Sequence, residues 1–130
     1  MLQSLSVSQP LALVLYEKLT PGSQLINRLQ DMKYRVHPLG NPADLLSVSS
    51  EMKPLVIIAD LDMPGADVLG AVTRLRQNST TAHIPVILLA DEITDELNDK
   101  FKSSGATVTA TDAAVLTHLP QLLEQALRVE

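Results

Sequence analysis

The chain has 130 residues, 45% hydrophobic and 19% charged, an ordinary globular composition that excludes disorder and fits one domain over 1–130 with its core at about 11–128. Ten Lys and Arg against 15 Asp and Glu give a net charge of −5, the wrong sign for binding a nucleic-acid backbone, and 2% aromatics leave no stacking platform for single strands. With no cysteine there are no disulfides, thiolate catalysts or Cys-based zinc sites; the longest apolar run, Leu11 to Tyr16, is too short to span a bilayer, and a cytoplasmic domain without membrane contact is expected.

In chain order, the first predicted element is an apolar strand, Leu11-Ala12-Leu13-Val14-Leu15. Thr20-Pro21 then reads as a helix cap followed by a first-turn proline, and Leu25, Leu29 and Met32 share one face of that helix. A weaker strand is expected at Tyr34 to Leu39. Asn41-Pro42 opens a short helix carrying Leu45 and Leu46, and Leu55-Val56-Ile57-Ile58-Ala59 forms the third strand. After Pro64-Gly65, helical spacing joins Val68, Leu69, Val72 and Leu75. Val86-Ile87-Leu88-Leu89-Ala90 is the fourth strand, and Thr94-Asp95-Glu96 caps a helix that stops at Ser104-Gly105. A weak fifth strand at Ala106 to Thr111 precedes a last helix with Leu116, Leu119, Leu122, Leu123, Ala126 and Leu127, kinked or restarted by Pro120.

Strands apolar on both faces, each followed by a helix, predict an α/β fold with a parallel sheet covered on both sides. No glycine-rich turn follows the first strand, so the flavodoxin-like strand order 2-1-3-4-5 is preferred over a dinucleotide-binding half. Ligands on such a sheet sit beyond the carboxyl ends of the strands. Those ends carry Tyr16, Glu17 and Lys18; Asp60, Leu61 and Asp62; Asp91 and Glu92; and Asp112. So many carboxylates on one rim repel one another unless a proton or cation compensates. Asp112, and either Asp91 or Thr94, also read as helix caps, Glu17 and Lys18 as solvated loop residues. Asp60, ending the most hydrophobic strand, is the strongest functional candidate.

The segment Val56-Ile57-Ile58-Ala59-Asp60-Leu61-Asp62-Met63-Pro64-Gly65 resembles the CheY-like receiver domain of two-component response regulators. The resemblance runs from Leu11 to about Leu127 and includes Ile84-Pro85 and Ser104-Gly105-Ala106. It implies a (βα)5 three-layer sandwich, with Asp60 at the phosphoacceptor position. It also implies an incomplete, weak Mg²⁺ site made of Glu17, Asp60 and Asp62. The family's other chemical groups are replaced here. The acid pair after strand 1 reads Tyr16-Glu17, the hydroxyl at the end of strand 4 is Ala90, and the Lys-Pro after strand 5 is Asp112-Ala113. The switch aromatic falls at Thr109.

These departures favour a degenerate receiver: a non-enzymatic interaction module of a phosphorelay system that does not depend on phosphorylation. Its partner would be a histidine kinase or a downstream signalling protein. By resemblance the partner would bind the face of the fourth helix, fifth strand and fifth helix, with Val108 and Val115 as first suspects. The alternative is an atypical working receiver that accepts a phosphoryl group on Asp60. A third reading is a small-molecule or cofactor binder using Thr20-Pro21-Gly22-Ser23, with Tyr16 as the one aromatic at that edge. His37, His83 and His118 have no metal-ligand spacing, and Ser49-Ser50 and Ser103-Ser104 have no base placed by spacing. Sequence does not set the oligomeric state.

Overall fold

The structure, a computed structural model, describes residues 10–16, 19–62, 67–105 and 107–127. Five strands, β1 (Leu11–Leu15), β2 (Arg35–Leu39), β3 (Val56–Asp60), β4 (Val86–Ala90) and β5 (Val108–Thr111), alternate with five helices. These are α1 (Leu19–Asp31), α2 (Leu45–Met52), α3 (Val68–Gln77), α4 (Asp95–Ser104) and α5 (Asp112–Leu127). The sheet is parallel in the order β2-β1-β3-β4-β5, as expected from three strands apolar on both faces. No helix of the described residues is long and apolar enough to cross a membrane.

Alternate residues of each strand serve opposite cores. Leu13, Leu15, Ile57, Ala59, Leu88 and Ala90 pack with Leu45, Val72, Leu75 and Phe101 from α2, α3 and α4. Ala12, Val14, Ile58, Ile87, Leu89 and Ala110 pack with Leu25 and Leu29 of α1 and with Val115, Leu119 and Leu123 of α5. The period-two alternation of a strand makes this division automatic once helices cover both faces.

Asn41 accepts from Ala43 N–H at 2.9 Å, Thr94 from Leu97 N–H at 3.1 Å, and Gly105 ends α4 at φ 94°. Pro120 coincides with a break in α5, where His118 leaves helical geometry at φ −118°. Several expectations shift. Helix α1 starts at Leu19, so Thr20 lies inside its first turn instead of preceding it. The second, third and fifth strands begin one, one and two residues late, at Arg35, Val56 and Val108. Asp67, unnoticed in the sequence, caps α3 by accepting from Gly70 N–H at 3.0 Å.

Candidate functional site

Asp60 is the last residue of β3, in register with Leu89 of β4, and its side chain is fully buried. Its Oδ1 accepts the backbone N–H of Asp62 at 3.0 Å, a turn in which a carboxylate two residues back stands in for a carbonyl. The chain thereby bends sharply at the strand tip. Asp62 in turn accepts the Asp91 backbone N–H on Oδ2 at 2.8 Å, tying the loop after β3 to the loop after β4. Two aspartates in sequence thus form a ladder of charge-accepting contacts from the middle strand outward.

The carboxylates of Asp62, Asp91 and Asp112 each offer an oxygen, and these oxygens lie within 4.8 Å of one another. Asp62 and Asp91 are exposed, Asp112 half-buried. Among the described residues this is the one group of three or more potential metal ligands. A donor set of carboxylate oxygens alone, with open space for water, suits a hard divalent cation such as Mg²⁺ and not a soft metal.

The cap reading of Asp112 and Asp91 gives way. Thr111 Oγ1 accepts from Ala114 N–H at 3.1 Å and caps α5, while Thr94 caps α4. Asp112 is the first helical residue, and both carboxylates stand at the rim beside Asp62. The cluster of carboxylates at the strand ends was visible in the sequence; Asp91's place in the metal-like set was not, because capping offered it a sufficient local role.

Tyr16 follows β1 and is half-buried against the core shared with α1 and α5. Its phenolic oxygen is buried beside Asp112, without meeting the geometry of a full hydrogen bond. Burial pushes the phenol's pKa well above its ordinary value, and the negative fields of Asp112, Asp60 and Asp91 push it further. The phenol is therefore neutral at physiological pH and adds no charge to the rim.

Ala90 is buried at the end of β4 opposite Thr111, and Ala113 is exposed in the first turn of α5. Thr109 is half-buried on β5, its hydroxyl 3.4 Å from Asn98 Oδ1 on α4. Glu17 and Lys18, and the Met63-Pro64-Gly65 part of the motif, lie outside the described residues. Of the expected metal set Glu17, Asp60 and Asp62, only Asp62 belongs to the carboxylate group that the structure gathers, with Asp91 and Asp112; Asp60 stands beside it, its Oδ1 engaged by the Asp62 N–H. Val115, expected on a partner-binding face, is fully buried in the core; Val108 is half-buried against the same core. The period of α5 places Val115 with Leu119 and Ala126 on its sheet-facing side.

No family model and no curated protein matches the chain. Solved structures do. Chemotaxis protein CheY4 of Vibrio cholerae is 22% identical, with 92% of this chain and 100% of that one covered at a TM-score of 0.84. The response regulator domain of CheB from Thermotoga maritima is 18% identical over 94% of this chain and 98% of that one, at 0.78. The signal receiver domain of a DNA-binding response regulator from Colwellia psychrerythraea is 22% identical over 88% and 98%, at 0.75. The chain has the fold of these receiver domains.

Proposed function

We propose that this chain is a receiver-type module of a phosphorelay signalling system that acts by binding a protein partner and not by phosphorylation of Asp60. The partner is a histidine kinase or a downstream signalling protein in the cytoplasm, and the module has no enzymatic activity of its own. One observation carries the reading. The Asp112 carboxylate, at the position where the resemblance to receiver domains implies a lysine, lies within 4.8 Å of the carboxylates of Asp62 and Asp91.

A phosphoryl group on Asp60 adds about −1.5 to −2 charge. In a receiver the lysine and a hydroxyl meet that charge; here the corresponding positions hold Asp112 and Ala90. The phosphorylated state therefore loses a charge-assisted partner and gains a repulsive one, beside a tip that is fully desolvated at Asp60. Phosphoryl transfer depends on positioning and charge neutralisation, so its rate falls by the same cause. Readout weakens as well: Thr109 carries no aromatic ring to swing between two packings.

A working receiver remains the second reading, favoured by the carboxylate donor set. Asp62, Asp91 and Asp112 would hold Mg²⁺, which when bound supplies positive charge beside Asp60. The test is an amide NMR titration with Mg²⁺ and beryllofluoride, a mimic of the aspartyl phosphate. The spectrum around Asp60 is expected to stay unchanged with beryllofluoride. Saturable shifts there, lost in Asp60→Asn, would establish the second reading.

A further inference from the structure

A cavity of about 570 Å³ lies at the opposite end of the sheet, below the amino ends of β1, β2, β3 and β4. That volume falls within the range of roughly 300–1,000 Å³ typical of small-molecule sites. Its apolar lining comes from Leu11, Met52, Leu55 and Ile84, joined by prolines at 10, 54 and 85. Among the described residues, Met52 and Leu55 are the large hydrophobic side chains left exposed, at 37% and 44%, and both line this cavity. Exposed apolar surface gathered at one concave place marks a binding site more often than chance scatter does.

The polar lining has one sign. Lys53, His83 and Arg35 are the ionisable members of the eleven lining residues and none is acidic, on a chain with 15 acidic residues against ten basic. Lys53 also holds an unusual backbone conformation. It ends α2 at φ 50°, ψ 64°, a left-handed geometry that glycine adopts freely and lysine does not. Lys33, after α1, holds the same left-handed geometry at φ 72°, so what distinguishes Lys53 is its place: it ends α2 on the wall of this cavity, where a cation also suits the helix terminus.

We propose that this cavity binds a small organic anion with an apolar body. Its carboxylate meets Lys53 and His83, and its hydrocarbon part covers Met52, Leu55 and Ile84. The site lies at the other end of the sheet from Asp60 and is independent of the signalling role proposed above.

The test uses the full chain, followed by amide NMR, titrated with decanoate below its micelle threshold and in parallel with 1-decanol. Decanoate is expected to give saturable shifts confined to Met52, Lys53, Leu55, His83 and their neighbours, with decanol binding more weakly at the same residues. Lys53→Gly removes the cation while easing the backbone. It is expected to hold or raise the melting temperature, to weaken decanoate about tenfold through loss of one charge-assisted contact, and to leave decanol unchanged. Leu55→Asp, at an exposed position, is expected to abolish binding of both. Shifts spread over the molecule, shifts that never saturate, or undiminished decanoate binding by Lys53→Gly would overturn the proposal.

Discussion

At the scale of single residues, Asp112 and Tyr16 decide what the rim can do. Three carboxylates within 4.8 Å cost the folded state on the order of 1 kcal/mol, after screening at a largely exposed edge. Asp112→Asn keeps an acceptor and removes a charge, so it is expected to stabilise the protein by about 0.5–1 kcal/mol in low salt. Urea denaturation should show the gain shrinking as salt or Mg²⁺ is added; a loss of stability would mean that the Asp112 charge holds the fold. Tyr16 gives a signature in pH. Its pKa is raised above the ordinary value of 10 by burial and then by Asp112, Asp60 and Asp91. The unfolded phenol therefore releases its proton first as pH rises. The stabilisation is complete below about pH 10 and is lost as pH climbs toward the folded-state value. Tyr34 is raised by burial as well, so Tyr16→Phe is expected to reduce the alkaline loss of stability and the double variant Tyr16→Phe, Tyr34→Phe to reduce it further. An unchanged alkaline profile in Tyr16→Phe would contradict the placement of the phenol. Asp60 was recognisable in the sequence because a carboxylate at the end of so apolar a strand is costly without a purpose. Asp112 was ambiguous because Thr111 and Asp112 are adjacent and both are good caps; only the geometry assigns the cap to Thr111.

Among the elements, the cross-connections between helices and loops are what local sequence shows least. Arg76 of α3 donates to Gly105 O at 2.9 Å, Ala82 O at 3.0 Å, Ile84 O at 2.7 Å and Thr107 Oγ1 at 3.3 Å. Burial lowers the pKa of its guanidinium. These bonds fasten α3 to the segment before β4 and to the turn between α4 and β5. Gly105 is required there twice over: its φ is +94°, and a Cβ would sit 2.7 Å from Arg76 Cγ. Arg76→Ala strands three carbonyls and is expected to cost about 2–3 kcal/mol; Arg76→Lys should recover less than half, because an ammonium lacks the planar fork. A cost below about 0.5 kcal/mol in urea denaturation would show that water replaces the guanidinium. Gly105 was legible as a helix stop, since a glycine after a polar helix end signals one. Arg76 was not, since nothing in α3 itself distinguishes it from the solvated Arg74.

For the whole molecule, the alternation of apolar strands and amphipathic helices was enough to fix the layer order, because a strand apolar on both faces has to be covered twice. Edge strands were harder to bound: β2 and β5 have fewer buried residues and therefore a weaker apolar signal. The two ends of the sheet differ in character. The carboxyl ends are acidic and the amino ends carry the exposed apolar residues and cations, a polarity no single element reveals. The central claim concerns the acidic end: a receiver fold has kept its aspartate while the surrounding charges oppose phosphorylation. Intact-mass spectrometry of the full chain after incubation with acetyl phosphate and Mg²⁺, beside Asp60→Asn, tests it most directly. The account predicts no added phosphoryl mass in either protein. A phosphoryl adduct on the unsubstituted chain that is missing from Asp60→Asn would contradict it.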